Sequence, residues 1–311
     1  MFKKPIAKVL VFVFLFTGLF AATGTNTFAA GWGPFYDSSK KVEIKIFENS
    51  AYGQHNDVSV SVDNEYVLIG GGAWADYGNG GGALLVASYP TDDQLTTWNA
   101  KSKDHRIQNN HTLHVYAIGM RLKDNSGKYI SRTTLMNYMI WRRETSATAQ
   151  HPSTQVTLPY GYSLLSGGAE AVNGLNVGSL LTASYPVDDR TWSVASKDHC
   201  EAFATQINAY AIGVRNTYIP NFGYVDVNVR PSLKSINTQA HYTGVLSANV
   251  SDGYVLSGIG GKVEYNSNGR LLFRMAPQEF SAQSIIVSDK DHCEPDSGRL
   301  FLSMIQIKQR S

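Results

Sequence analysis

The chain has 311 residues, of which 43% are hydrophobic and 17% charged, and it contains 28 glycines and 17 tyrosines. This composition excludes a disordered chain, which needs low hydrophobicity and high net charge, and a coiled coil, which is dominated by Ala, Glu, Lys, Leu and Arg. The formal charge is +2, but residues 1–30 hold three lysines and no acid, so the remainder has 24 basic and 25 acidic residues. A chain so close to neutrality offers no broad electrostatic attraction to nucleic acid or to an anionic membrane.

The first thirty residues have the pattern of a secretory signal peptide. Lys3, Lys4 and Lys8 precede an apolar run over residues 9–20, and small residues lead to a cleavage position near Ala30. The alternative is an uncleaved membrane anchor, but the apolar run is shorter than the ~20 residues that a spanning helix needs. The sequence therefore predicts a secreted, extracellular protein with no membrane span.

Three copies of one sequence module fill the rest of the chain. Each copy carries a Tyr followed by a Gly-rich stretch, then a Leu-Leu segment ending in Pro, then a Lys-Asp-His element. The Gly-rich stretches are YVLIGGGA, YSLLSGGA and YVLSGIGG, which begin at Tyr66, Tyr162 and Tyr254. The Leu-Leu segments are LLVASYP, LLTASYP and LLFRMAP, which begin at Leu84, Leu180 and Leu271. The Lys-Asp-His elements end at His105, His199 and His292. A second repeated His, at His55, His151 and His241, precedes each Gly-rich stretch. The sequence thus divides into a signal peptide (1–30), an N-terminal segment (31–41) and repeats of about 93 residues at 42–122, 136–217 and 224–308.

The repeats are predicted to be all-β. Apolar residues alternate over 58–62, as in a half-buried strand, and no stretch has a convincing helical period. Residues 66–75 and 83–89 are expected to pair as a hairpin around a Gly-rich turn, within five or six strands per repeat. Three such repeats that share one core predict a pseudo-threefold β-prism. The alternative is three tandem small β-sandwiches.

The Lys-Asp-His element and the Trp before it are the first candidate ligand contacts. Adjacent strand residues point to opposite faces, so each Asp and its neighbouring His are expected to have separate partners. The more ordinary interpretation is a turn in which Asp accepts backbone N–H groups and His is half-buried. The candidates are Trp98, Asp104 and His105 in the first repeat and Trp192, Asp198 and His199 in the second.

Two acidic pairs, Asp92-Asp93 and Asp188-Asp189, follow the Tyr-Pro of Tyr89 and Tyr185. Paired carboxylates are able to bind Ca²⁺ or sugar hydroxyls, although Pro-x-Asp-Asp is more often a turn. Apart from this calcium alternative, no cofactor is expected.

The first Gly-rich loop carries Trp74, Asp76 and Tyr77, a set of aromatic and polar side chains that suits sugars. Aromatic residues in strands are equally often part of the core. A phosphate-binding loop is excluded because these glycines do not open a helix.

Two cysteines, Cys200 and Cys293, each follow a repeated His. An exported chain with two cysteines permits one disulfide without requiring it. Equivalent positions in a pseudo-threefold body come within bonding distance only close to its axis.

The sequence contains no G-x-S-x-G, H-E-x-x-H or Walker motif. A catalytic site is usually built once, whereas repetition multiplies weak binding sites. The pattern favours a lectin-like protein that binds surface glycans multivalently. The alternatives are a secreted polysaccharide hydrolase and a structural or inhibitory protein without a small ligand.

The succession of SYP, Trp, SKDH and YAIG resembles the repeated β-prism module at the C-terminus of bacterial perforin-like (MACPF) proteins, over residues ~42–308. The resemblance implies a module that targets cell surfaces, through Tyr89, Pro90, Trp98, Asp104 and His105 and the equivalent Tyr185, Pro186, Trp192, Asp198 and His199. The chain has no room for the membrane-perforating domain. The third repeat departs from the pattern, with Met275-Ala276, Ile285 and Ser303 in place of Ser-Tyr, Trp and Tyr. If these positions contact ligand, the protein is bivalent.

Overall fold

A computed structural model describes residues 30–78, 81–176, 178–267 and 269–311. The signal-peptide prediction falls outside these residues, apart from the main chain of Ala30. The described chain is all-β, as predicted, with one short helix, α1 (Arg132–Met136), in the connector between the first two repeats. Among the described residues there is no helix with the length and apolar character needed to cross a membrane.

The described residues form nineteen strands in three sheets. The strands are β1 (Ala30–Tyr36), β2 (Val42–Gly53), β3 (His55–Ser61), β4 (Val67–Asp76), β5 (Leu84–Pro90), β6 (Thr97–Lys103), β7 (His111–Leu122), β8 (Met139–Thr145), β9 (Ser153–Thr157), β10 (Tyr162–Ala171), β11 (Leu180–Pro186), β12 (Thr191–Lys197), β13 (Ile207–Arg215), β14 (Tyr224–Thr238), β15 (Gly244–Asn249), β16 (Val255–Tyr265), β17 (Arg270–Pro277), β18 (Ser284–Asp291) and β19 (Gly298–Arg310). Sheet I has the order β1-β2-β7-β4-β17-β18-β15, sheet II β3-β6-β5-β10-β13-β8 and sheet III β14-β19-β16-β11-β12-β9.

Every sheet is shared between two of the sequence segments. Each segment supplies six strands, three to one sheet and three to the next. The sheets are joined by antiparallel pairs between β17 and β4, between β5 and β10, and between β11 and β16. Three separate sandwiches would not share sheets in this way.

The predicted hairpin of residues 66–75 with 83–89 is wrong. The first strand, β4, pairs with β7 and β17 in sheet I, whereas β5 pairs with β6 and β10 in sheet II. The Gly-rich connection therefore carries the chain from one sheet to the next. The alternation of apolar and polar residues indicates which face of a strand is buried, but it does not indicate which strands pair. Both β4 and β5 are buried along most of their length, so they show little alternation.

Strand burial follows the position of each strand in its sheet. Buried and exposed residues alternate strictly along β3, an edge strand of sheet II, as its sequence predicts. The central strand β4 is buried at nearly every position because both of its faces are covered. One continuous apolar core joins the inner faces of all three sheets, and a smaller cluster gathers Leu84, Leu180 and Leu271 from the three repeats.

The N-terminal segment adds a further strand to sheet I. In β1, Trp32 pairs with Ile46 of β2 and packs against Tyr116 and Phe280, with ring centroids 5.5 and 5.3 Å apart. In the turn that follows, the buried Asp37 carboxylate accepts a hydrogen bond from the Gln309 amide at 2.9 Å. The N-terminal segment therefore contacts both the first repeat, through β2, and the third repeat, through β19.

Candidate functional site

The two repeated tryptophans are core residues, which corrects their assignment as ligand contacts. Trp98 is 1% exposed and Trp192 is fully buried. Each indole N–H donates a hydrogen bond at 3.0 Å to a buried serine hydroxyl, that of Ser88 or Ser184. No surface of either ring is accessible to a glycan.

Each tryptophan lies flat against a glycine of the Gly-rich stretch. A Cβ atom added to Gly71 or to Gly167 would lie 2.3 Å from the indole of Trp98 or Trp192. The third repeat has Ile259 in place of that glycine and Ile285 in place of the tryptophan, and both are buried in the core. The third repeat thus differs from the other two in its core packing. Met275 takes the place of Ser88 and Ser184, the serines that accept the indole N–H groups.

The three histidines of the Lys-Asp-His elements close a ring of hydrogen bonds. The Nε2 atom of His105 donates to the His199 carbonyl, His199 to the His292 carbonyl, and His292 to the His105 carbonyl. All three side chains are buried, at 8, 1 and 4% exposure. His105 and His199 therefore join the repeats and are not ligand contacts, which corrects their assignment.

The lysines beside them bind the Gly-rich loops of neighbouring segments. Lys103 Nζ donates to the Gly174 carbonyl at 2.6 Å, and Lys290 Nζ donates to the Gly81 and Gly82 carbonyls. Burial lowers the pKa of Lys103 to about 8 and that of Lys290 to about 7, partly opposed by the adjacent aspartates.

The aspartates of the elements have separate partners, as expected for adjacent strand residues. Asp104 accepts a hydrogen bond from His55 Nε2 at 2.9 Å and Asp198 accepts one from His151 at the same distance. The second oxygen of each accepts a main-chain N–H five residues later. The repeated His55 and His151 are thus explained by a carboxylate–imidazole pair in each of the first two repeats, whereas in the third the main-chain N–H of His241 donates to Asp291 at 2.6 Å, and these aspartates serve turns.

The acidic pairs occupy turns. Asp92 accepts the Gln94 amide at 2.9 Å, and Asp188 accepts the amides of Arg190 and Thr191 at 2.8 and 2.7 Å. Among the described residues, neither pair belongs to a set of three groups close enough to hold a metal ion. The structure thus supplies turns for these residues, and calcium binding stays a prediction.

The Trp74, Asp76 and Tyr77 set is largely occupied by protein contacts. Trp74 stacks on His114 with ring centroids 5.1 Å apart and has the Arg274 guanidinium 4.0 Å from its ring. The Tyr77 ring has Lys290 Nζ at 3.8 Å and Phe273 against its edge. Asp76 accepts the Gly78 amide at 3.2 Å. These rings offer little free face for a sugar.

Cys200 and Cys293 are exposed free thiols that lie together next to the histidine ring. Their sulfurs and a ring nitrogen of His199 lie within 4.8 Å of one another. Both residues have left-handed backbone conformations, with φ of 61 and 63°, as has Arg106 at the same place in the first repeat. Thiolates and imidazole are ligands that soft and borderline metals prefer, and the same proximity suits a disulfide.

The strongest remaining candidate lies on the outer face of sheet II, where β5 and β10 meet. The Glu170 carboxylate accepts hydrogen bonds from Lys101 Nζ at 3.0 Å, Asn208 Nδ2 at 3.0 Å and the Tyr210 hydroxyl at 2.7 Å. Tyr89 stacks on Tyr210 with ring centroids 4.9 Å apart. Of these residues, only Tyr89 was singled out by the sequence.

An open groove of about 240 Å³ adjoins this cluster. It is lined by Lys101, Glu170, Asn208 and the loop of Val172 to Asn176, and we call it the Glu170 groove. Three asparagines, one carboxylate and one amine converge on it, with Leu175 as an apolar wall. The volume lies just below the range of roughly 300–1,000 Å³ typical of ligand pockets, and fits one small polar unit.

The charges of the Glu170 groove are fixed by its hydrogen bonds. Burial raises the pKa of Glu170, but the hydrogen bonds from Tyr210, Lys101 and Asn208 outweigh it, so the net pKa is lowered. Burial and the charge of Glu170 raise the pKa of Tyr89 to about 12. At neutral pH the groove therefore presents an ionised carboxylate and neutral phenols.

The equivalent position is different on the other two sheets. Glu170 corresponds to Trp74 in the first repeat and to Lys262 in the third, each eight residues after the repeated tyrosine. On sheet III, Lys262 pairs with Glu264 at 2.7 Å and lies 5.8 Å from the ring of Tyr185. A common scaffold thus carries three chemically different surfaces.

A scan of protein-family models finds no match to this chain, and a search of curated proteins finds none either. The resemblance to the β-prism module of perforin-like proteins is untested by these comparisons and stays a prediction.

Proposed function

We propose that this chain is a secreted, non-catalytic carbohydrate-binding protein whose principal site is the Glu170 groove. The observation that carries the proposal is an ionised carboxylate, held by Lys101, Asn208 and Tyr210, beside a groove lined by further amide side chains. Carboxylate and amide groups together match the paired donor and acceptor character of sugar hydroxyls. Tyr89 stacks on Tyr210, the phenol that donates to this carboxylate, and so supports the site from beside the groove.

We further propose that the three segments form a pseudo-threefold β-prism, with the histidine ring at its axis. The cyclic order of the histidine bonds and the exchange of three strands between successive segments support this arrangement. A glycan site on one sheet then replaces the expected multivalent sites, because the residues equivalent to Glu170 differ between repeats.

A glycan array of the mature protein tests the proposal. We expect binding to a limited set of glycans at neutral pH, without release of reducing sugar. Absence of binding to every glycan would leave the structural or inhibitory alternative, and steady turnover of a polysaccharide would establish the hydrolase alternative. Detection of the intact Met1 on a membrane-bound form by mass spectrometry would contradict secretion.

The site itself is tested by Asn176→Ala and Glu170→Gln, with Glu264→Gln as a matched carboxylate change on sheet III. Asn176 lines the groove and is exposed, so its truncation leaves the core intact. We expect the first two variants to weaken binding of the array-selected glycan about tenfold or more and the third to bind normally. Equal affinity of all three variants would place the site elsewhere.

A further inference from the structure

The outer edges of the three sheets are not equivalent. In sheet I the edge of β2 is covered by β1, with Phe35 opposite Ile44 and Trp32 opposite Ile46. In sheet II the corresponding strand is β8, and in sheet III it is β14, and both are terminal in their sheets. The correspondence between β2 and β8 follows from their pairing. Tyr116 and Tyr210 are equivalent residues of the first two repeats, and Glu48 of β2 pairs with Tyr116 as Arg143 of β8 pairs with Tyr210.

The main chain of β8 faces outward at alternate residues. The Arg215 N–H donates to the Tyr138 carbonyl, and the Ser146 N–H donates to the Ile207 carbonyl. With the register of β8 and β13, these two bonds show that the even-numbered residues of β8 are the ones whose main-chain groups bond to β13. The N–H and C=O groups of Met139, Trp141 and Arg143 therefore point away from the sheet. The Trp141 carbonyl instead accepts a hydrogen bond from the Arg142 side chain at 3.0 Å.

A groove of about 610 Å³ runs along this open edge. Its walls are the five successive residues from Met139 to Arg143, together with Asp93, Leu95 and Met136. The β8 residues occupy the positions that pair with β1 in sheet I. Asp93 is equivalent to Phe280, since each is the third residue after the proline that ends its strand. In sheet I, Phe280 contacts Trp32 of the added strand β1.

We propose that the β8 edge binds an extended segment of a partner protein as an added strand, in the way that β1 is added to β2. Strand addition draws its affinity from main-chain hydrogen bonds and its specificity from the side chains along the groove. Leu95, Met136 and Met139 form the apolar part. The exposed Arg142 and Arg143 form a cationic rim, against which Asp93 is the one acidic residue of the lining. The occupant that this lining fits alternates apolar and acidic side chains over six or seven residues.

The edge of β14 has the same place in its sheet but a different lining. Its groove of about 590 Å³ carries Asp188, Asp189 and Asp226, and Pro231 interrupts the strand. Acidic side chains repel an acidic peptide, and proline lacks the N–H that strand addition needs. The β14 edge therefore serves as an internal comparison that an acidic peptide avoids.

The test uses a fluorescent eight-residue peptide that alternates valine and glutamate, titrated against the full mature chain and followed by anisotropy. We expect saturable binding that Arg142→Glu/Arg143→Glu weakens at least tenfold and Lys262→Glu leaves unchanged. A peptide with lysine in place of glutamate should bind at least tenfold more weakly. Two further peptides are N-methylated, one at the odd-numbered and one at the even-numbered residues. One of them should lose binding and the other should keep it, because only alternate N–H groups of an added strand face β8.

Equal binding by both N-methylated peptides, or no loss in the double arginine variant, would overturn the proposal. Sedimentation tests the competing occupant. If the chain forms dimers that a peptide copying residues 30–37 dissociates, the edge is filled by β1 of a second copy and the proposed partner is wrong.

Discussion

The indole of Trp98 lies so close to the main chain of Gly71 that a Cβ atom on that glycine would be 2.3 Å from the ring. Two motifs that the sequence presents separately, the Gly-rich stretch and the Trp before Lys-Asp-His, are therefore one packing unit. The same unit recurs at Gly167 and Trp192, and Ile259 with Ile285 replaces it in the third repeat.

This packing predicts coupled stability effects. Trp98→Ala should cost about 3–5 kcal/mol of unfolding free energy, as for a large buried side chain. Gly71→Ile should also be strongly destabilising, because its Cβ would lie 2.3 Å from the Trp98 ring and 2.4 Å from the Tyr116 carbonyl oxygen. A Trp98→Ile background, which reproduces the pair of the third repeat, should relieve the first of these two contacts. Urea unfolding of the four-member cycle should give a coupling of at least about 1 kcal/mol. The combination of Gly71→Ile with Trp192→Ile is the control, and a coupling of equal size there would contradict the pairing.

The histidine ring predicts a loss of stability in mild acid. Burial lowers the pKa of His105 from 6.5 to about 4, against a backbone hydrogen bond that favours the cation, and His199, Lys103 and His292 nearby lower it further. The unfolded chain then binds more protons between pH 6.5 and 4, so stability falls as the pH falls through this window. The shift corresponds to about 3 kcal/mol.

Urea midpoints measured at intervals from pH 7 to pH 4 check this expectation. His105→Gln keeps a side-chain N–H for the His199 carbonyl but does not titrate, so its profile should be flatter. Identical slopes in the two proteins would show that the acid sensitivity arises elsewhere.

The buried lysines predict that stability continues to rise with pH in mild alkali. The pKa of Lys290 is about 7 when folded because of burial, whereas a solvated lysine has a pKa of 10.5. The unfolded chain therefore binds more protons above pH 7, and stability should rise from pH 7 to pH 9.5. Thermal melts over this range measure the rise. A decline in melting temperature across the same interval would mean that Lys290 keeps its proton.

The cysteine pair predicts facile oxidation. With sulfurs within 4.8 Å, Cys200 and Cys293 need little movement to bond. Oxidised glutathione should take two electrons from the two thiols, forming one intramolecular disulfide, two glutathione thiols and no dimer. Thiol titration of unfolded protein should fall from two groups to none. Mixed glutathione adducts on both cysteines, detected by mass, would show that the sulfurs cannot meet.

The sequence predicted the strand content because apolar alternation in segments such as β3 reflects local burial. It did not predict that β4 and β5 part into different sheets, since a Gly-rich connection is equally compatible with a hairpin and with a crossing. Repetition alone does not distinguish ligand contacts from structural ones: His105 recurs because a closed ring of hydrogen bonds needs a histidine in every segment, and Trp98 recurs in the second segment because it packs in the core. Glu170 gave no signal, since it stands at a position that varies between the repeats.

An NMR titration locates the carbohydrate site. Amide resonances of the mature protein are followed by NMR during titration with a glycan selected on the array. We expect the largest shifts on Asn173, Gly174 and Asn208, and we expect Glu170→Gln to reduce affinity at least tenfold while Glu264→Gln does not. Shifts centred on another sheet, with unchanged affinity in Glu170→Gln, would contradict the assignment of the Glu170 groove as the carbohydrate site.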